Sequence, residues 1–283
     1  MVPDNPKLLV LDLGAHDGVD TEIYLARGFR VVALEANPML ASALADRLTN
    51  YTELTVEARA LDHSPGQVEL HVPVDEGQSL WATTSPRQLK MLKAVDVPVR
   101  PVQVATTSLA ELFDRYGVAH YVKCDIEGTD TTFLEMLVHD QRRPDTISFE
   151  LTQSSMGELL RQLRLLKLAG YQRYYLRDQQ RLPTSAYVDG REYPIASMWS
   201  GPFGHEIDDG THLTFARLRR RALLVAVRSR LFGEFGLAGR LGLYGAFRRL
   251  SRLPIVGCLF YTSWYDVHCF SPLRTQAKVP PSR

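Results

Sequence analysis

Asp12-Leu13-Gly14-Ala15-His16-Asp17-Gly18 follows directly on the apolar stretch Leu8 to Leu11, and Glu35 closes the next apolar stretch seventeen positions later. A strand that runs into a glycine turn lets the backbone approach a ligand closely. An acid at the tip of the following strand can hold the ribose hydroxyls of a nucleoside. A dinucleotide fold carries G-x-G-x-x-G, with room for a pyrophosphate against a helix N-terminus. Here the pattern is Asp-x-Gly-x-x-x-Gly, with Ala15-His16 where the second glycine would fall. This spacing favours S-adenosylmethionine, which has no phosphate, over NAD.

Outward from this turn, apolar runs alternate with helix-patterned segments through the first 180 or so residues, the signature of a mostly parallel sheet covered by helices on both faces. The expected strands are Lys7 to Leu13, Arg30 to Glu35, Leu54 to Ala60, His120 to Asp125, Thr146 to Leu151 and Tyr171 to Leu176. Gln67 to Val74 alternates like an extra strand, and Gln78 to Val95 reads as irregular surface. Helix starts are expected at Asn37 before Pro38, at Ser108 with Glu111, and at Ser155 with Glu158. Leu159, Leu160, Leu163 and Leu166 give the last of these an apolar face, and it stops at Gly170.

The expected organisation is an α/β, Rossmann-like sheet with helices on both faces over residues 1–178, a loop-rich lid or substrate segment over 179–213, and a basic helical extension over 214–283. Ser200-Gly201-Pro202-Phe203-Gly204 falls in the lid. In the extension, Leu218, Leu223, Leu224, Val227 and Leu231 have the spacing of an amphipathic helix.

With 283 residues, 45% of them hydrophobic, the chain can bury a full core. Its net charge of +1 hides an asymmetry: residues 1–213 carry 20 basic and 30 acidic side chains, residues 214–283 carry 13 and 2. Residues 214–253 hold ten arginines, no lysine and one acid, Glu234. Such a segment suits a phosphate-bearing acceptor, an anionic membrane surface or an acidic partner, or folds back as a solvated face on the acidic part. Cys124, Cys258 and Cys269 have neither metal-ligand spacing nor the parity of a disulfide framework. Residues 1–7 lack the apolar run of a signal peptide, and Ile255 to Tyr261 is too short to span a bilayer. The expected location is cytoplasmic, with peripheral membrane contact through the arginines.

The fourth strand ends in Lys123-Cys124-Asp125-Ile126-Glu127-Gly128 and the fifth in Phe149-Glu150-Leu151. Three carboxylates thus come to the C-terminal edge of the sheet, where doubly wound folds bind ligands. They could bind an ammonium group, ligate a divalent metal or take a proton from a hydroxyl; Asp125 could instead cap the next helix and Glu127 stay solvated. Asp125 and Glu150 occupy the strand tips that hold magnesium in catechol-type O-methyltransferases, and by that analogy they are metal candidates for Mg2+.

Residues 12–21, Val31 to Pro38, Val122 to Gly128 and Ser148 to Leu151 together resemble the FkbM-type family of S-adenosylmethionine-dependent methyltransferases, in order and over roughly residues 7–176. Ser200 to Gly204 and Trp264 to His268 also resemble C-terminal motifs of some members. The resemblance implies a Rossmann-like class I methyltransferase fold for residues 1–178 and methylation of a hydroxyl on a sugar, glycolipid or polyketide-like natural product. It implies cofactor contacts from Asp12, Gly14, Ala15, His16, Gly18 and Thr21 in the turn, from Glu35, Ala36 and Asn37 around the ribose, from Ala60, Leu61 and Asp62 around adenine, and from Asp125. The base is open among Asp125, Glu127, Glu150 and His268. His16 stands where many members have asparagine. A nicotinamide-dependent oxidoreductase and a non-catalytic nucleotide-binding partner protein, soluble or membrane-associated, are the other readings. Nucleic-acid methylation is disfavoured, because the fourth strand lacks the Asn/Asp-Pro-Pro-aromatic motif of enzymes that methylate bases.

Overall fold

In the computed structural model the described residues are 7–126, 128–153, 155–181, 185–188, 191–194, 212–234, 236–253 and 257–271. All six strands read from the sequence are present in the main sheet: β1 (Leu9–Leu13), β2 (Arg30–Leu34), β3 (Leu54–Glu57), and, beyond β4 (Ala60–Leu61), β5 (Gly66–Pro73) and β6 (Val99–Thr107), β7 (Tyr121–Cys124), β8 (Thr146–Glu150) and β9 (Arg173–Asp178). A seventh strand joins them after the hairpin β10 (Ser185–Val188) and β11 (Arg191–Pro194): β12 (Tyr265–Phe270). The order is β3-β2-β1-β7-β8-β12-β9. The pairs from β3 through β8 are parallel, and β12 runs antiparallel to both β8 and β9. The sheet therefore crosses the boundary expected at residue 178. Within the segment expected as a lid, residues 195–211, with the Ser200 to Gly204 motif, lie outside the described residues.

The first helices are α1 (Val19–Ala26), α2 (Pro38–Arg47) and α3 (Pro86–Ala94), followed by α4 (Leu109–Tyr116), α5 (Asp130–His139) and α6 (Met156–Ala169). The helix starts have local causes. Asn37 Oδ1 accepts from the Met39 amide at 3.1 Å, with Pro38 opening α2; Ser108 Oγ accepts from Glu111 at 3.1 Å, and Ser155 Oγ from Glu158 at 3.3 Å. Gly170 closes α6 in a left-handed conformation. The face of α6 that carries Leu159, Leu163 and Leu166 is buried with α4, α5 and one side of the sheet, including Leu11, Leu13, Val122, Ile147 and Phe149. Burying each such side chain stabilises the fold by about 1.5–3 kcal/mol. Leu160, about a quarter turn round the helix from that face, is exposed.

The other side of the sheet is apolar only at its margins, where Val10, Val31, Ala33 and Tyr121 pack with Tyr24 of α1 and Leu44 of α2. Its centre is polar, with Asp12, Lys123, Ser148, Asp266 and His268 all buried.

Two sequence expectations change here. Gln78 to Val95 is not irregular: it holds most of a 3-10 turn, Glu76–Trp81, and α3, which starts after Ser85 at Pro86. β6 has no counterpart in the sequence reading, yet it pairs antiparallel with β5 along its length and parallel with β4, making a three-stranded sheet beside the main one. The tail contains α7 (Phe215–Phe232), α8 (Leu237–Arg240), α9 (Tyr244–Leu250) and α10 (Gly257–Phe260).

Candidate active site

The turn after β1 is held by backbone contacts. Gly14 and Ala15 both donate to the Leu34 carbonyl, at 2.9 and 3.1 Å. Gly14 has φ 83°, and a Cβ there would lie 2.0 Å from the carbonyl oxygen of Asp125. Only glycine lets the tips of β1 and β7 approach this closely. Gly14→Ala is therefore expected to lower stability by on the order of 3 kcal/mol, from left-handed strain and a backbone clash together. In thermal denaturation this is a fall of roughly 10 °C, and an unchanged melting temperature would refute the close approach.

Glu35 sits at the tip of β2 with both carboxylate oxygens engaged: the His16 amide donates to Oε2 and the Asn37 amide to Oε1, each at 2.8 Å. Burial pushes its carboxyl above the usual range, while those two amides pull it back. His16 has φ 50°, in the left-handed region that histidine and asparagine visit more readily than most residues. The His16 ring carries the position further, because Nε2 is 3.0 Å from Ser79 Oγ and so ties the turn to the 3-10 turn after β5.

These residues open onto a cleft lined by Gly14, His16, Leu34, Glu35, Ala36, Arg59, Ala60, Leu61, Leu70, Ser79, Ala82, Thr84, Asp125, Ile126 and Thr129. It lies at the C-terminal edge of the parallel strands, the ligand edge of doubly wound sheets. Of the expected cofactor residues, Gly14, His16, Glu35, Ala36, Ala60, Leu61 and Asp125 line it, and the others sit behind it. Ala15 is buried, Asn37 caps α2, and Gly18, at φ 76°, caps α1. Asp62 Oδ1 accepts from the His63 amide. Arg59, Leu70, Ser79, Ala82 and Thr84 were not anticipated; the alternation of Gln67 to Val74 was the one sequence signal that an element borders the site.

Asp12 and Thr21 belong to a buried ionic cluster under the turn. The Thr21 hydroxyl donates to Asp12 Oδ2, and Lys123 Nζ lies 3.3 Å from Asp12 Oδ1 and 2.9 Å from Asp20 Oδ2. Burial works against the Lys123 charge, but Asp12, Asp20 and Asp125 outweigh it and hold the ammonium well above its ordinary pKa. Burial raises Asp20 to about 6 in spite of Lys123. Lys123→Met would leave two buried carboxylates unpaired and is expected to cost about 3–5 kcal/mol in denaturant unfolding. Because the Asp20 pKa is higher folded than unfolded, the native state holds the extra proton between about pH 4 and 6. Asp20 thus makes stability fall as pH rises through that window. Asp20→Asn is expected to remove this slope from the pH dependence of the melting temperature.

The antiparallel course of β12 brings a further acid to the edge. Asp266 pairs in register with Glu150 at the tip of β8, while His268 pairs with Ser148, two residues deeper along the strand. Two residues are about 7 Å of strand, and His268 is fully buried in the sheet, with its ring in edge contact with Tyr175. His268, one of the expected catalytic candidates, thus lies in the sheet interior, and Asp266 is the residue of β12 in register with the edge. Burial first, then the charges of Asp125 and Glu150, push the Asp266 carboxyl well above the ordinary carboxylate range. Glu127 lies outside the described residues.

The methyltransferase FkbM domain matches residues 12–173, more than half of the chain. The chain belongs to the FkbM methyltransferase family. Its structural likenesses include an FkbM methyltransferase from Methylobacillus flagellatus KT, with 17% identity over 61% of this chain and 40% of that one, at TM-score 0.41. A S-adenosylmethionine-dependent O-methyltransferase from Thermotoga maritima is 9% identical over 95% of this chain and 61% of that one, at TM-score 0.39. A S-adenosylmethionine-dependent methyltransferase from Geobacter sulfurreducens, in complex with S-adenosylhomocysteine, is 12% identical over 94% and 85%, at TM-score 0.35. The chain thus spans 40% and 61% of the length of the first two. No curated protein matches it.

Membership in this family sets aside the nicotinamide-dependent oxidoreductase and supports S-adenosylmethionine as the cofactor. The cleft of this FkbM methyltransferase fits that molecule: Gly14 on its wall, an acid at the tip of β2, and apolar Leu61 and Ile126. Magnesium is not supported, since among the described residues no three His, Cys, Asp or Glu side chains converge as a metal site, and the expectation for Asp125 and Glu150 is withdrawn.

Proposed function

We propose that this protein is an O-methyltransferase acting on a hydroxyl of a sugar, glycolipid or polyketide-like acceptor. The observation that carries the reading is Asp266, a carboxylate with a raised pKa set beside Glu150 at the edge of the sheet and within electrostatic reach of the cleft-lining Asp125. A base works best when its pKa nears the operating pH, and burial moves an aspartate in that direction. S-adenosylmethionine, when bound, supplies an electrophilic methyl group on a sulfonium.

Gly14 and Glu35 hold and orient the nucleoside end, with Leu61 and Ile126 as its apolar contacts. Asp125 and Glu150 accept hydrogen bonds from the acceptor and orient its reacting hydroxyl. The Asp266 carboxylate takes the hydroxyl proton as the oxygen forms its bond to the methyl carbon and the carbon-sulfur bond breaks. Much of the rate comes from holding the two reactants in line.

The test is transfer from methyl-labelled S-adenosylmethionine to panels of sugar, glycolipid, polyphenol and amine acceptors, with the product bond identified by NMR. A methyl ether is the expected product. Transfer to nitrogen or carbon acceptors alone would overturn the proposal.

A further inference from the structure

The tail contradicts the ordinary outcome for an amphipathic helix. The buried face of α7 consists of Leu218, Ala222 and Ala226, and packs on the core below β9 and α6. Its larger apolar residues point the other way: Leu224, Val227 and Leu231, at the i, i+3, i+7 spacing of a single stripe, are 49%, 44% and 42% exposed. Helical geometry places Arg217, Arg220, Arg221 and Arg228 along the same outer stripe, and the first three are exposed.

The same mixture continues through α8 to α10. Phe232, Phe247 and Phe260 turn inward and pack on one another with ring centroids 4.9 to 5.3 Å apart. Leu237, Leu241, Leu243, Leu253 and Leu259 face out, as do Arg240, Arg248, Arg249 and Arg252. Among the described residues none of the ten arginines of 214–253 pairs with a carboxylate, so their charge faces solvent although α7 packs on the acidic part of the chain.

We infer that this face docks the enzyme on an anionic lipid surface. Apolar side chains interleaved with arginines, on helices that already have a buried face, are what an interfacial helix presents to the boundary between headgroups and acyl chains. A nucleic acid would satisfy the arginines and leave the leucines in water; stacking calls for exposed aromatic rings, and here the phenylalanines are turned in. A second copy of the chain would set the arginines against one another. No helix among the described residues is long and apolar enough to cross a membrane, so the contact is peripheral. Ser229 Oγ, on α7, donates to Gln153 Oε1 just beyond the tip of β8, fastening the docking helix close to the strand that carries Glu150.

The experiment is flotation of the full chain with vesicles of phosphatidylcholine alone and with added phosphatidylglycerol, at low and high salt. Binding is expected only to the anionic vesicles and should weaken as salt rises. Arg220→Glu with Arg221→Glu should reduce partitioning by at least fivefold per site. Leu224→Ser, Val227→Ser and Leu231→Ser together should reduce it about a hundredfold. Retained S-adenosylhomocysteine binding by each variant shows that the fold is intact. Absence of vesicle binding, equal binding to neutral vesicles, full binding by the leucine variant, or tighter binding to a single-stranded RNA oligonucleotide would each overturn the inference.

Discussion

Asp266→Asn is expected to lower kcat for methyl transfer by about 10²- to 10⁴-fold, the usual contribution of a positioned general base, while affinity for S-adenosylhomocysteine by calorimetry stays close to wild type. The asparagine keeps the shape and loses the ability to take a proton. The pH profile distinguishes this from a packing role. Burial, with Asp125 and Glu150 alongside, holds the Asp266 pKa well above the usual carboxylate range. A base acts only when deprotonated, so kcat should rise with pH along an acid limb displaced upward by the same amount. Glu150→Gln removes one of the charges that raise that pKa and should move the limb to lower pH. A limb that stays in place in Glu150→Gln, or an Asp266→Asn enzyme of near wild-type rate, would return the role of base to the other carboxylates.

Glu35→Ala should weaken S-adenosylhomocysteine binding by about a hundredfold or more. The Glu35 carboxylate accepts from the amides of His16 and Asn37 at once, and so holds the glycine turn and the start of α2 in one arrangement. In the proposed site its remaining lone pairs are the acceptors for the ribose hydroxyls. Charge-assisted hydrogen bonds of this kind are worth about 1.5–3 kcal/mol each, and two of them account for the expected loss. Glu35→Gln keeps one acceptor but sets an amide hydrogen against a backbone N–H, so it should fall between alanine and wild type. Calorimetry reads all three. Affinity unchanged in the alanine variant would mean that the nucleoside does not lie against the tip of β2.

The parts of the site visible in the chain were those in which neighbours in sequence are neighbours in space. Asp12 to Gly18 is one turn, Glu35 ends the next strand, and Asn37-Pro38 caps the helix that follows. Asp125 could be placed because it directly follows an apolar strand. His16 and Ser79, by contrast, meet across 63 positions, and nothing in either segment announces the pairing. Asp12 looks like a cofactor ligand when read beside Gly14, yet the strand alternation turns it under the sheet toward Lys123, a partner more than a hundred residues away.

The depth of His268 in the sheet follows from strand direction. The run Trp264 to His268 stands out in sequence, but a strand has two ends and the sequence does not say which one reaches the site. Because β12 is antiparallel to β8, its first residues lie at the ligand edge: Asp266 arrives there and His268 is drawn into the interior. The amphipathic pattern of 218–231 was equally ambiguous. Periodicity marks a helix with apolar residues on more than one side, and packing alone chose the small side, Leu218 with two alanines, for the core.

What the chain determined by itself was therefore local and periodic: the strand-turn-helix around Gly14, the alternation that makes a parallel α/β sheet, the caps that start α2, α4 and α6, and the family to which residues 12–173 belong. Tertiary structure alone decided that residues 265–270 complete the sheet, which acid meets Glu150, and which side of α7 is left exposed. These depend on the insertion of β12 between β8 and β9 and on competition among apolar faces for one core. Both are set by the free energy of the whole packed chain, and no short window of sequence contains it.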